Sequence, residues 1–342
     1  MHFKSSHRKP QGRSACTLMQ LGAVSVAIVM LGLLLILAIG YRREMSRKDL
    51  CANNLREIGI GINSYCDAND GAFPPGQWLS PSVPDGEPFS WCVEILPHIN
   101  EQQTWDQFDF DKDLLSAENS PAAGKIIEIF LCPSSDPDRG WRNGENRIDD
   151  LDQNGELTPE IGEGMACIDY MGVAGPTRTA RSMAGTDFGR NRGILLAREI
   201  GDLSPPQVQR PNGMFDVLRR SHVTDGLSRT ICVAESTSRS AFFDAAKGKW
   251  ELSGTWASGE NISHVETRIN ETGHLPDYPG ETDQEEIYSD HRGGAFVLFA
   301  NGSAMFLDEG LERDILHALC TRNGESEFGE DLSDSDWPAN LK

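Results

Sequence analysis

Residues 21–67 read LGAVSVAIVMLGLLLILAIGYRREMSRKDLCANNLREIGIGINSYCD, and this stretch sets the architecture. Its character changes once. Leu21–Ile39 is almost wholly apolar, and no charged side chain occurs between residues 14 and 41. At about 1.5 Å per residue, roughly 20 apolar residues cross the hydrocarbon layer, so this run can span it as a helix. From Arg42 to Asp67 the sequence is mixed, yet Leu55, Ile58, Ile62 and Tyr65 recur at spacings of three and four. That is one apolar face of a helix. Gly59 and Gly61 weaken it. Asn69-Asp70-Gly71 and Phe73-Pro74-Pro75-Gly76 then break it. The expectation is a long helix that starts in a membrane and continues into a soluble domain.

A cleaved signal peptide is the competing reading, since Ala38-Ile39-Gly40 has small residues at a suitable spacing. The apolar run exceeds the roughly 7–15 residues of a typical signal core, which favours an uncleaved single anchor. Charge orients it weakly. Lys4, Arg8, Lys9 and Arg13 precede the run, and Arg42, Arg43, Arg47 and Lys48 follow it. The rest of the chain is acidic. Residues 1–48 hold eight Lys/Arg against the single acid Glu44, while the whole 342-residue chain carries a formal charge of −21. A body this acidic repels phosphate backbones, excludes nucleic acid as a partner and attracts cations. The expected topology places the N-terminus in the cytoplasm and the bulk of the chain outside, in the periplasm or at the cell surface.

Beyond the helix, Trp91–Ile99 reads as a strand or short helix, and Glu128–Cys132, Arg229–Ser236 and Trp250–Trp256 as strands. Residues 134–165, 177–192 and 257–290 are polar and loop-like. The clearest local signal is Gly294–Leu307, two apolar runs joined by Asn301-Gly302, a pair suited to a two-residue hairpin turn. A helix over Leu311–Leu319 and an acidic tail follow. None of the eight cysteines forms a C-x-x-C pair, so a zinc ribbon or thioredoxin-type site has no support. Spacing alone leaves the cysteine connectivity open.

Several segments together resemble the DUF1559 family, known mainly from planctomycete bacteria. Cys51-Ala52-Asn53-Asn54-Leu55, with Ile58-Gly59, is similar to its C-x-N-N-L-K-Q-I-G element. Gly71–Gly76 resembles its G-x-F-P-P-G. Ser90-Trp91, Ile95-Leu96-Pro97 and Glu101-Gln102-Gln103 resemble its S-W…L-P-Y-L-E-Q. Phe130-Leu131-Cys132-Pro133-Ser134, Tyr170–Gly175 and Thr224–Thr230 resemble F-L-C-P-S, Y-x-G-x-x-G and T-D-G-x-S-N-T. His291, separated by nine residues from Asn301-Gly302, resembles the family's H-x9-DG signature, with Asn301 in place of the usual Asp.

The resemblance implies an α+β fold: a long transmembrane, pilin-like helix followed by an antiparallel β-rich head. It divides the chain into a cytoplasmic leader-like segment 1–15, a membrane and shaft helix 16–70, a head 71–320 and an acidic tail 321–342. It also makes Cys51 and Cys132, each inside a matched motif, candidate disulfide partners. A prepilin-type leader would be cut between Ala15 and Cys16. Here Ala15 stands for the usual Gly, and Gln20 for the Glu that pairs with a neighbouring subunit's new amine. A neutral Gln cannot form that ion pair, so an uncleaved anchor is expected.

The sharpest candidate site read from residues alone is Asp150–Thr158. Asp150, Asp152, Asn154 and the Glu156 carbonyl alternate as in a calcium loop, with Gly155 for the turn. The expected bidentate Glu falls on Ile161, with Glu160 and Glu163 beside it, and the alternative is a solvated acidic loop. His291 at a strand entrance is expected to hydrogen-bond backbone and fix a turn. The seven scattered Trp residues are expected in the core rather than on a sugar-stacking platform. Hydrolase, zincin, phosphate-loop and dinucleotide motifs are absent from the sequence. The leading function is therefore a pilin- or type II secretion-like pseudopilin component of the cytoplasmic membrane, not an enzyme. Its expected partners are the membrane and further copies or pilin-like subunits. An anchored surface module for glycan or calcium comes second, and an envelope enzyme third. No cofactor is expected besides calcium.

Overall fold

A computed structural model describes residues 18–80, 82–137, 139–177, 192–196, 207–209, 215–245, 247–271 and 286–323. The leader positions Ala15 and Cys16, the arginine-bearing stretch 178–190, the acidic run 281–285 and the tail 324–342 lie outside these residues.

The chain forms two units, Met1–Ser46 and Arg47–Lys342. The first holds the opening turns of helix α1 (Leu18–Ala68). Side chains from Gly22 to Ile39 are all exposed there, Leu31 at 72 % and Leu37 at 70 %. By length and composition this helix can cross a membrane. An apolar helix with no covered face is stable in hydrocarbon or against another helix, and not in water.

In the second unit the last turns of α1 are amphipathic, as the spacing requires. Cys51, Ala52, Leu55, Ile58, Ile62 and Cys66 are buried, whereas Ile60 on the opposite face is 66 % exposed. Each buried Leu or Ile contributes about 1.5–3 kcal/mol. The helix stops where Asp70 (φ 53°) and Gly71 (φ 79°) turn left-handed, and the Gly71 N–H donates to the Cys66 carbonyl at 2.8 Å. Gly59 and Gly61 are contact positions rather than weak points. A Cβ on Gly59 would lie 3.0 Å from Gly302 Cα, and one on Gly61 2.5 Å from Ile99 Cγ2.

Five strands form the central sheet: β1 (Tyr170–Pro176), β2 (Ile231–Glu235), β3 (Ile262–Val265), β4 (Gly294–Phe299) and β5 (Ala304–Asp308). Their order is β5-β4-β2-β1-β3. The β4–β5, β4–β2 and β1–β2 pairs are antiparallel, but β1 pairs β3 in parallel. The head is α+β as expected, yet its sheet is mixed rather than wholly antiparallel. β2 runs opposite to β1, and the 236–261 connection carries the chain past β1 to its far edge, so β3 runs in the direction of β1. Side chains alternate across the sheet. Phe296 and Leu298 join the core that contains α1, whereas Ala295, Val297 and Phe299 pack with Leu316 and Leu319 of the helix that follows β5. That helix spans Arg313–Leu319, two residues later than the sequence suggests.

Three local expectations change. The β4–β5 loop has three residues, Ala300-Asn301-Gly302, because the Phe299 N–H donates to Ser303 O and the Gly302 N–H to Phe299 O. Only Gly302 (φ 90°) is left-handed, and Asn301 Oδ1 instead accepts from the Ser303 N–H and hydroxyl. Glu128–Cys132 is a 3-10 turn (Glu128–Phe130) followed by extended chain, since its backbone groups bond Asn54 and Asp169 instead of a strand. Trp91–Ile95 is a short helix, α2, one of the two forms expected there, capped by Ser90 Oγ accepting from the Cys92 N–H. Of Trp250–Trp256, only Trp250 and Glu251 are strand, as the end of Lys249–Glu251. Trp91 and Trp256 are fully buried, and Trp78, Trp105, Trp141 and Trp250 pack on the same core.

Candidate functional site

Three residues from the matched motifs, Cys51, Cys132 and His291, meet at one buried spot under α1. Cys51 faces inward from the amphipathic turns of α1 and is bonded to Cys132 in a disulfide. Cys132 follows the 3-10 turn and is held from two sides. Asn54, one turn after Cys51, donates from Nδ2 to the Leu131 carbonyl at 2.8 Å. The Cys132 N–H donates to Asp169 Oδ2, also at 2.8 Å. Asp169 is itself fixed by the buried Arg142, whose Nη1 lies 2.6 Å from Oδ1, and by the Ser135 hydroxyl and Ser238 N–H. Burial alone would lower the Arg142 pKa, but the Asp169 charge raises it above its ordinary value. The guanidinium therefore stays charged.

His291 precedes β4 and is buried, with its ring edge-on to Phe296. Its Nε2 lies 3.5 Å from Cys132 Sγ and 3.7 Å from Glu235 Oε1. The expected turn-fixing role is present on the backbone side, where the His291 N–H donates to Ser289 Oγ at 3.2 Å. The imidazole, however, points at sulfur and carboxylate. Glu235 closes β2, directly across from Tyr170 in β1. Glu235 Oε2 accepts from the Phe296 N–H at 2.7 Å, while Oε1 accepts no hydrogen bond. Burial pushes the Glu235 carboxyl up to about 8; the Phe296 and Ser289 donors oppose this, and Asp169 adds to it. Burial likewise raises the Tyr170 hydroxyl, reinforced by the charges of Glu235 and Asp169.

Cys51, Cys132, Glu235 and His291 thus offer two sulfurs, a ring nitrogen and a carboxylate oxygen within 4.8 Å of one another. The sequence reading placed Cys51, Cys132 and His291 in motifs but missed Glu235. The available signal was a lone acid ending the apolar strand Ile231-Cys232-Val233-Ala234-Glu235, on the same sheet face as Val233. Asn301 and Gly302 lie apart from the cluster, in the β4–β5 loop, where they shape the turn. Gln20 falls within α1.

The acidic loop forms a second gathering of carboxylates. Asp150, Asp152 and Glu163 approach within 4.8 Å. Asp150 accepts from the Asn154 and Gly155 N–H groups, and Asn154 Oδ1 accepts from the Glu156 N–H. Glu163, not Ile161, supplies the buried carboxylate, accepting from Leu151, Asp152 and Thr158 N–H. Gly162 (φ 92°) redirects the chain so that Glu163 points into the loop. Asn154 is held in the same loop, its Nδ2 donating to Asp152 Oδ2 at 2.9 Å.

A family profile described as "Protein of unknown function (DUF1559)" matches residues 42–314. No curated protein and no solved structure matches the chain.

Proposed function

The chain belongs to the DUF1559 family, and from that premise we propose that it is a pilin-like, membrane-anchored protein of the cell envelope with a structural or assembly role. One observation carries this reading. The single helix α1 bears both an exposed apolar stretch, Gly22–Ile39, and an amphipathic stretch, Cys51–Cys66, whose inner face is buried in the sheet core. A pilin needs such a helix: one part anchors the head, and the other packs in the bilayer or against neighbouring helices. Ala23 and Ala27, four residues apart, and Gly22 and Gly32, around which a Cβ would meet nothing within 4 Å, leave low spots where a second helix can approach. In this reading the N-terminus is cytoplasmic and the head lies in the periplasm or at the cell surface, with roles that are not catalytic. A photo-crosslinker at Leu31, used in native membranes, tests helix packing. Homo-oligomeric products support it, and a chain that remains monomeric at Leu31 and at neighbouring positions around the helix refutes it.

The Asp150–Glu163 loop favours a second reading, an anchored module that binds calcium through Asp150, Asp152 and Glu163. Calorimetry decides it. Heat of binding at millimolar calcium that disappears in Asp150→Asn supports the site, and no heat refutes it.

A further inference from the structure

The Cys51–Cys132 disulfide has unusual company for a structural crosslink. A crosslink in a core needs only apolar neighbours. This one faces a buried imidazole and a buried carboxylate whose Oε1 accepts no hydrogen bond. A carboxyl oxygen taken out of water without a hydrogen-bond donor is costly, and such an atom in a folded protein calls for an explanation. A bound cation supplies one. We propose that the dithiol form of this tetrad binds one divalent transition-metal ion of the zinc type, with Cys51, Cys132, Glu235 and His291 as its four ligands, and that the disulfide is the metal-free form of the same site.

The distances support a tetrahedral ion. Zinc bonds of about 2.0–2.3 Å place neighbouring ligand atoms roughly 3.3–3.8 Å apart. His291 Nε2 already stands 3.5 Å from Cys132 Sγ and 3.7 Å from Glu235 Oε1. The remaining ligand atoms lie within 4.8 Å of one another, and breaking the disulfide frees the two sulfurs to separate to the spacing an ion needs. The donor chemistry points the same way. Two thiolates and an imidazole suit zinc and disfavour the hard ions calcium and magnesium, which take oxygen ligands. Arg142 and Asp169 act as positioning residues, because Asp169 holds the Cys132 N–H and Arg142 holds Asp169. The ligands come from α1, the Cys132 segment, the end of β2 and the residue before β4, so the site exists only in the folded head.

The conversion balances. A phosphine reductant gives two electrons to the disulfide and takes up the oxygen of one water molecule. The two protons of that water cap the separated sulfurs. The metal then forms two metal–sulfur bonds and releases those two protons to solvent.

The test uses the full chain in detergent, reduced with a phosphine and freed of excess reductant. Zinc is titrated, metal per chain is measured by mass spectrometry, and cobalt(II) serves as an optical probe of thiolate ligation. One equivalent of zinc and a thiolate-to-cobalt absorption band are expected in the reduced protein, with neither in the disulfide form. Glu235→Gln should keep the cobalt–thiolate band while weakening zinc binding at least about tenfold. A folded, reduced wild type that takes up no zinc overturns the proposal, as does uptake that is undiminished in Cys51→Ala/Cys132→Ala. Should reduction unfold the head, zinc added during refolding replaces the titration. Native circular dichroism recovered at one equivalent supports the site, and refolding indifferent to zinc overturns it.

Discussion

Removing the Cys51–Cys132 crosslink should cost a large part of the head's stability. The two cysteines are 81 residues apart in sequence. A loop of that length removes about 15 cal/mol/K of entropy from the unfolded chain, or about 4.5 kcal/mol at 25 °C. Domains are stable by only about 5–15 kcal/mol. Cys51→Ala/Cys132→Ala should therefore bring the head close to its unfolding threshold, with a small further loss from the vacated core volume. The assay is urea unfolding of the full chain in detergent with a chelator present, followed by tryptophan fluorescence. Trp91 and Trp256 are fully buried and report the head. The extrapolated unfolding free energy should fall by about 3–5 kcal/mol. A loss below about 1 kcal/mol would overturn this expectation, because a crosslink of this span cannot be so nearly neutral unless the unfolded chain already holds residues 51 and 132 together.

Three further outcomes follow from the same geometry. Gly61→Ala should destabilise by about 1 kcal/mol, since the Cβ would lie 2.5 Å from Ile99 Cγ2 and the overpacking outweighs the roughly 1 kcal/mol of helix propensity gained. A stabilised variant in the same urea assay would show that α1 does not pack there. Asp169→Asn should cost about 3–5 kcal/mol, because it leaves the Arg142 charge buried without a counter-ion; a midpoint within error of wild type would refute this. Glu260 is raised to about 9 by burial and by the charges of Glu87 and Glu251, with Lys249 opposing. A carboxyl raised in the folded state contributes stability that is complete below its unfolded pKa near 4.3 and is lost as pH rises through about 9. Unfolding free energy should therefore decline between about pH 5 and pH 9, and the decline should be shallower in Glu260→Gln. Identical pH profiles for the two proteins would exclude Glu260 as the cause.

The parts that the sequence made legible are local ones. The face formed by Leu55, Ile58 and Ile62 follows from helical spacing, and the Gly294–Leu307 hairpin from alternating apolar runs around Asn301-Gly302. Local pattern failed at Glu128–Cys132, where a short apolar run fits a strand or a 3-10 turn equally well and distant side chains make the choice. It also misread Gly59 and Gly61. Their helix cost is visible in the sequence, but the loop and Ile99 that they contact are not. The buried site was half legible. Family motifs flagged Cys51, Cys132 and His291, while Glu235 was one acid among 52 Asp and Glu until the β1–β2 pairing set it opposite Tyr170. In the acidic loop the counting rule pointed to Ile161, and the left-handed Gly162 brings Glu163 in instead.

On the proposed function, Gly22–Ile39 remains in the mature protein as its anchor. Intact mass and N-terminal sequencing of the protein recovered from native membranes address it most directly. A membrane-retained chain whose mass includes that segment is expected. A mature chain that begins after Gly40 would contradict it, because the apolar run would then be a discarded signal and the pilin-like reading would lose its helix.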